Sequence, residues 1–154
     1  MDCLITASQD CNPAKVTYEE TFDIFGVLIT TTTFYEIKGT EANKCILYLR
    51  TENQNIDFSD GLVQQMLAEG ATQEQIQQQK QGANKQAELV ESKDGTCKFN
   101  NNADLTSLLN KWDEGTISGS VSCSLVGEEW QCTHTGDWAV ADCEGERFIT
   151  QVSQ

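Results

Sequence analysis

The chain has few basic residues, and this shortage excludes two classes of partner. Ten Lys and Arg stand against 24 Asp and Glu, so the formal net charge is −14. Proteins bind nucleic acids by neutralising phosphates with Lys and Arg, and they bind anionic membrane surfaces in the same way. We therefore expect no nucleic-acid partner. The acidic surface serves solubility in the simplest interpretation, with a cationic or calcium-binding partner as the alternative.

The sequence also lacks the motifs of most enzymes. It contains neither of the glycine-rich loops that cradle phosphates and no G-x-S-x-G nucleophile elbow. Its single histidine, His134, lies between threonines on a predicted strand, with no activated nucleophile beside it. No apolar run reaches the roughly 18 residues of a membrane-spanning helix. We expect neither an enzyme nor a cofactor, and no membrane span.

Cysteine, in contrast, is abundant. The seven residues form no C-x-x-C pair and are Cys3, Cys11, Cys45, Cys97, Cys123, Cys132 and Cys143. Dispersed cysteines are typical of a disulfide framework, which forms in oxidising compartments. The sequence therefore predicts an exported protein that is extracellular, periplasmic or at the cell surface. Cys45 and Cys97 are the expected long-range pair, because each lies in or near a predicted strand.

The odd number of cysteines leaves one thiol over, and the position of Cys3 suggests two roles for it. The first residues lack the basic region of a signal peptide, so an exported chain would be a mature form with an added Met1. Cys3 is then either the lipid anchor of a processed bacterial-type lipoprotein or the partner of Cys11 in an N-terminal loop. A lipid would leave six cysteines for three disulfides.

Three cysteines and the only histidine lie close together near the C-terminus: Cys123, Cys132, His134 and Cys143. Such a set of ligands can bind zinc tetrahedrally, but structural zinc sites usually draw on tight C-x(2–4)-C pairs and these spacings are wider. We favour the alternative, a Cys123–Cys132 disulfide across a hairpin, with Cys143 paired elsewhere and His134 at the surface.

Tryptophans and loop oxygens supply two weaker candidate sites. Trp112 falls on an apolar helix face and is expected in the core, whereas Trp130 and Trp138 are candidates for a binding platform. Calcium needs several oxygen ligands at once, and no stretch fits an EF-hand loop. The loop oxygens that could bind calcium belong to Asp57, Asp60, Asp104, Asp113 and residues 100–102. Helix capping explains part of this set without a metal.

The hydrophobic pattern centres on one long β-hairpin over residues 16–50. Apolar and polar side chains alternate in its first part, and its middle is rich in β-branched and aromatic residues, which favour strands. We predict a first arm over 16–38, a turn over 39–44 and a second arm over 45–50. Gly26 marks a bend or a split in the first arm.

Helices and further strands follow. The predicted elements are a helix capped by Ser59 or Asp60 and ended by Gly70, a polar helix over 73–90 with a Thr72–Gln75 capping box, a strand at 88–90 or 97–99, a helix over 103–113, a hairpin of 116–126 and 130–135, and short strands at 138–140 and 147–152. The polar helix is expected to fray near residues 82–84.

This order of elements is typical of an α+β domain. We predict an antiparallel sheet, built on the N-terminal hairpin and a C-terminal meander, with two or three helices packed on one face and disulfides stabilising the fold. Residues 1–14 form an arm or loop, and residues 15–154 form a single domain.

The leading functional hypothesis is an exported, disulfide-stabilised, non-enzymatic binding or cell-surface domain with an unknown protein or small-molecule ligand. One alternative is a self-assembling extracellular subunit, in which the edge of the hairpin pairs with a neighbour and the odd cysteine locks the contact. The other is an intracellular zinc-binding protein or zinc enzyme.

Overall fold

The computed structural model describes residues 1–149. The helices and strands are, in chain order, α1 (Asp2–Ser8), β1 (Ala14–Ile24), β2 (Val27–Glu41), β3 (Lys44–Phe58), α2 (Asp60–Ala68), α3 (Gln73–Ala87), β4 (Asp94–Phe99), α4 (Asn102–Asp113), β5 (Val121–Val126), β6 (Glu129–His134) and β7 (Ala141–Glu144). Short 3-10 helices cover Glu88–Val90, Gly136–Val140 and Glu146–Phe148. None of the helices in this described part combines the length and apolarity that crossing a bilayer takes.

The predicted α+β class is confirmed. Five strands form an antiparallel sheet in the order β1-β2-β3-β4-β7, and β5 pairs with β6 in a separate two-stranded sheet. The chain divides into two compact units, the first formed by Met1–Thr17, Phe34–Arg50 and residues 93–149, the second by Tyr18–Thr33 and Thr51–Ser92. The prediction of a single domain from residue 15 onward stays a prediction.

The predicted long hairpin is a three-stranded meander. Its first arm splits at Phe25 and Gly26, which form a two-residue turn between β1 and β2. The second turn is also shorter than predicted and consists of Ala42 and Asn43 alone. All four turn residues have positive φ, the backbone conformation that two-residue hairpin turns of type I′ require. The second arm, predicted to end at residue 50, continues as β3 to Phe58.

The prediction of an N-terminal arm or loop over residues 1–14 is wrong for half of it, because Asp2–Ser8 form α1. The helix is only seven residues long, too short to show a repeating apolar stripe in the sequence. Its Leu4 and Ser8 are buried. The Ser8 hydroxyl lies 2.7 Å from the Thr106 hydroxyl of α4, so packing against α4 supports α1.

The core of the first unit lies between the sheet and its helices. The strand register places alternate residues of β2, β3, β4 and β7 on one buried face, and α4 contributes the apolar stripe predicted for it. The fully buried apolar side chains include Leu4, Tyr35, Ile37, Leu47, Leu49, Phe99, Leu105, Leu108 and Leu109. Edge-to-face ring contacts extend this core through Trp112 and Trp138 to Phe148.

Three disulfides stabilise the first unit: Cys11–Cys45, Cys97–Cys143 and Cys123–Cys132. The predicted Cys45–Cys97 pair is wrong, and the strand register gives the reason. Cys45 lies opposite Phe99 on β4, whereas Cys97 lies opposite Leu47, so the two cysteines are offset along adjacent strands. On its other side, Cys97 lies directly opposite Cys143 of β7, with 4.0 Å between their Cα atoms.

The alternative pairing of Cys3 with Cys11 is also wrong, since Cys11 is bonded to Cys45. Cys3 is the free cysteine, and it is exposed on α1. Cys3 lies within α1, whereas Cys11 follows the helix, has a φ of 53° and turns toward β3. A lipid on Cys3 stays a prediction.

The second unit contains α2 and α3, with the caps that the sequence predicts. The Ser59 hydroxyl accepts from the Leu62 N–H at the start of α2. Thr72 and Gln75 form the predicted capping box of α3, each side chain accepting from the other residue's backbone N–H. Helix α3 ends at Ala87, and a 3-10 turn replaces the alternative strand at 88–90.

The expected fraying of α3 near residues 82–84 is wrong, because Asn84 is tied to the edge of β3. Its Oδ1 accepts from the Ile56 N–H and its Nδ2 donates to the Ile56 carbonyl, both at 2.8 Å. The Gln54 N–H donates to the Glu91 carboxylate at 3.2 Å. These side chains take the place of a neighbouring strand where β4 no longer runs alongside β3.

The C-terminal third contains the predicted hairpin as β5 and β6. Residues 138–140, predicted as a strand, belong to a 3-10 helix in which Trp138 is buried, and β7 follows it. Of the last predicted strand, 147–152, residues 147 and 148 belong to the 3-10 helix Glu146–Phe148, and Ile149 forms only an isolated bridge with Cys123. The rest of that strand, from residue 150 onward, lies outside the described residues.

Asp137 connects α4 to the segment before β5. Its carboxylate accepts from the Lys111 amine at 2.5 Å, and from the N–H and the hydroxyl of Ser118, each at 2.8 Å. These bonds stabilise the charged carboxylate and lower the pKa of Asp137 to about 2, and the bond from Lys111 contributes most. The negative charge at Asp137 is therefore part of the folded structure.

We expect this carboxylate to contribute to stability only above the pH range in which it titrates. An unfolded Asp has a pKa of about 3.9. The contribution is complete above that value and is lost as the pH falls toward 2, because the folded group then takes up its proton. Denaturant titrations of wild type and Asp137→Asn should show a gap at pH 7 that closes between pH 4 and 2. A gap of equal size at both ends would contradict the assignment.

Candidate functional site

The tip of the β1–β2 hairpin carries a cluster of apolar side chains that the fold does not bury. Phe25 is 97% exposed, and Phe22 and Ile24 are each 51% exposed. We call these three residues the hairpin tip. Soluble proteins rarely expose large apolar side chains side by side, and such patches usually mark contact surfaces.

The backbone of the hairpin tip is held firmly within the second unit. The Gly26 N–H donates to the Asp23 carboxylate at 2.7 Å, and the Gly26 carbonyl accepts from the Ser59 N–H at 2.8 Å. Gly26 has φ of +88°, and a Cβ there would lie 2.8 Å from the Leu62 Cβ. The start of α2 therefore packs on the turn and presents Phe25 from a fixed base.

Folding alone does not explain a phenylalanine at position 25. Its φ of 54° is a left-handed conformation that costs most L-residues about 1–2 kcal/mol, whereas Asn and Gly adopt it readily. An almost fully exposed ring returns little of this cost through burial. Breaches of local preference without compensation in the fold are typical of functional positions.

Comparison with known proteins identifies no relative. No family model, no curated protein and no solved structure matches the chain. The geometry of the hairpin tip is therefore the main guide to function. One feature of the sequence indicates the position of the hairpin tip: an aromatic residue followed by Gly26 between two strand-like runs. The sequence predicts a bend or a split at Gly26, and the structure shows the split, but no sequence pattern points to Phe25 itself.

Trp130 and Trp138, the two tryptophans predicted as a binding platform, lie in different environments. Trp138 is buried, with its ring 5.4 Å from Trp112 and 6.4 Å from Phe148. It is a core residue because the 3-10 helix turns its ring inward. Trp130 is half-buried on β6 opposite Leu125. Trp112, predicted to be buried, is half-buried.

The proposed zinc ligands are engaged in other bonds. Cys123 is bonded to Cys132, the pair favoured from the sequence, and Cys143 is bonded to Cys97. Zinc binds thiolates, so these disulfides oppose the zinc alternative. The His134 Nε2 lies 2.8 Å from the Cys143 N–H and 3.2 Å from its carbonyl oxygen. His134 is half-buried, whereas we expected it at the surface.

Two of the acidic side chains weighed as calcium ligands, those of Asp57 and Asp104, are engaged in local contacts. Asp57 forms an ion pair with Lys80 at 2.7 Å, and the hydrogen bond from Lys80 lowers the pKa of Asp57. Asp60 lies in the first turn of α2, and the Asp104 N–H is capped by Asn101. Among residues 1–149, no three His, Cys, Asp or Glu side chains are grouped closely enough to hold a metal ion.

The outer face of the sheet in the first unit is a second exposed surface. The Lys38 amine lies 4.4 Å from the centre of the Tyr48 ring, and the Arg50 guanidinium lies 5.6 Å from that of Phe34. The Tyr48 hydroxyl donates to Asp94, and burial together with this bond raises the pKa of Tyr48. The cations of this face already have partners, so it is a weaker candidate for binding than the hairpin tip.

Proposed function

We propose that the protein is an exported, non-enzymatic binding domain and that the hairpin tip is its contact surface. The observation that carries this proposal is Phe25, which is almost fully exposed, has a left-handed φ and lies in a turn held by the hydrogen bonds of Gly26. Aromatic side chains on a fixed backbone are typical of the residues that dominate binding energy, since they bury a large area with little loss of conformational freedom.

The disulfides support the export part of the proposal. Six of the seven cysteines are paired, and two of the three pairs connect segments that lie 34 and 46 residues apart in the sequence. Disulfides of this kind persist in oxidising compartments and are rare in the cytosol. An extracellular, periplasmic or cell-surface location agrees with them.

The two rival functions have less support. A zinc protein needs reduced cysteines, whereas Cys123, Cys132 and Cys143 are all in disulfides. Self-assembly through β1 would bring the carboxylates of Glu19 and Asp23 in two copies close together, and like charges across a strand pair are destabilising. The absence of catalysis stays a prediction.

The test uses the change Phe25→Asn, with Ala42→Asn as its matched control. Both place Asn at the first position of a two-residue turn with positive φ, so both should relieve backbone strain. We expect only Phe25→Asn to abolish partner binding. The control should bind as the wild type does.

A photo-crosslinking amino acid at position 25 identifies the partner directly. The labelled protein is mixed with the extracellular fraction of its source, and the same label at the half-exposed Leu125 serves as the control. We expect a discrete protein adduct from position 25 alone. No adduct at position 25, or the same adducts from both positions, would contradict the proposal.

A further inference from the structure

The outer edge of β1 is a second open feature of the same hairpin. The strand order places β1 at one edge of the sheet, so a row of its backbone N–H and C=O groups points away from β2. The two-residue turn makes Ile24 and Val27 a bonded pair, so bonded residues alternate along β1 and the outward groups belong to Glu19, Thr21 and Asp23. This edge has the geometry to accept a further strand.

In the second unit, side chains cover the opposite edge of the sheet. Beyond Arg50, β3 is closed by the Asn84 amide on Ile56 and by the Glu91 carboxylate on Gln54. Proteins usually protect edge strands by such covers, by proline or by charged side chains, lysine above all. Residues 18–24 of β1 contain neither proline nor lysine, and their charges are all negative, so they repel another acidic strand but not a basic one. The contrast within one unit favours a use for the β1 edge.

The charges along β1 define the chemistry of an incoming strand. Glu19 accepts from the Thr32 hydroxyl, and Thr21 shares a hydrogen bond with Thr30, so Glu19 and Thr21 lie on one exposed face of the hairpin. Asp23 continues the same face. A strand beside them would place Lys or Arg next to these carboxylates, and opposite charges across a strand pair are stabilising.

The other face of β1 favours apolar side chains in an added strand. Phe22 and Ile24, each half-exposed, lie on this face together with Glu20. Side chains along a strand alternate between the two faces of a sheet, so every second residue of an added strand would cover Phe22 and Ile24.

A second copy of the chain is a poor occupant of this edge. An antiparallel pair of β1 strands centred on Thr21 would set Glu19 of one copy opposite Asp23 of the other. The protein also carries a net charge of −14, which repels a second copy as a whole.

We propose that residues 18–24 of β1 bind an extended basic peptide segment, in which Lys or Arg alternates with apolar residues, as an added edge strand. This inference rests on the proposed function and deepens it by naming the chemistry of the partner. Backbone hydrogen bonds between β1 and the added strand hold the peptide segment. The alternating charges set its register. Phe25 contacts the part of the partner that lies beyond the end of the added strand.

The test titrates the ¹⁵N-labelled full chain with a nine-residue peptide that alternates lysine with valine. We expect shift changes and slower amide exchange at residues 18–24, with none at residues 51–58. The matched peptide with glutamate in place of lysine should produce neither. A lysine peptide with N-methylated backbone amides should also fail, since it cannot pair.

A charge reversal on the protein completes the test. Glu19→Lys should weaken binding of the lysine peptide about tenfold, because it turns one attraction into a repulsion. Glu128→Lys, in the exposed turn between β5 and β6, changes the net charge equally and should bind as wild type does.

Three results would overturn the inference: no protection of β1, equal binding of the lysine and glutamate peptides, or dimers of the protein alone that protect β1. Phe25→Asn should still bind the lysine peptide, since Phe25 lies outside the strand. No adduct at position 25 while the lysine peptide still binds β1 would therefore reject the hairpin tip as the contact surface, whereas an adduct at position 25 without binding of the lysine peptide would reject this inference alone.

Discussion

Replacing Cys97 and Cys143 together by Ala should lower the free energy of unfolding by about 4 kcal/mol, the largest effect expected of any disulfide here. The pair closes a loop with a sequence separation of 46 and joins β4 to β7, the edge strand of the sheet. In the chain-entropy description, cross-linking a loop of this length restricts the unfolded chain by that amount. Urea denaturation at pH 7 without reductant measures the change.

The Cys123–Cys132 pair is the matched control, since it also lies directly across two antiparallel strands. Its sequence separation is only 9, so its replacement by Ala should cost about 2.5 kcal/mol. Alkylation without reductant, followed by intact mass, should first show a single modified residue, Cys3, in the wild type. Equal losses from both replacements, or more than one alkylated cysteine, would contradict the assigned pairs.

Changing Gly95 to Ala should cost about 3 kcal/mol, an unusually large effect for adding one methyl group. Gly95 is buried in β4, and a Cβ there would lie 2.3 Å from the Phe148 Cε2. The methyl group therefore displaces the Phe148 ring, which is buried and packs on Trp138. Thermal and urea unfolding of the variant measure the loss.

The matched control is the same substitution at Gly82, in the middle of α3. A Cβ there meets no atom within 4 Å, and Ala favours a helix over Gly by about 1 kcal/mol. Gly82→Ala should therefore stabilise the protein. Combining Gly95→Ala with Phe148→Leu should cost less than the sum of the single changes, because the smaller side chain frees space. Additive costs would rule out the contact.

Elements that depend on local sequence were the predictable part of the fold. The capping box at Thr72 needs only residues within one helical turn, and the structure contains it. The stripe of Leu105, Leu108 and Leu109 on α4 follows from helical spacing, and all three are buried. The β5–β6 hairpin follows from alternation on both sides of Gly127.

Features set by distant contacts were not predictable. The partner of Cys97 depends on the register of β4 against both neighbours, and a shift of two residues decides between Cys45 and Cys143. Asn84 holds α3 in place through Ile56, which lies 28 residues earlier in the chain. The strain at Phe25 appears only once the turn of two residues is fixed, since a wider bend would leave its φ ordinary.

The most direct test of the central claim is the free energy of unfolding of Phe25→Asn. If Phe25 is retained for contact with a partner, Asn should relieve the left-handed strain and raise stability by about 1 kcal/mol, as Ala42→Asn should in the other turn. Binding at the hairpin tip should disappear in the first variant alone. A loss of stability on changing Phe25 to Asn would show that the ring serves the fold, and would contradict the claim.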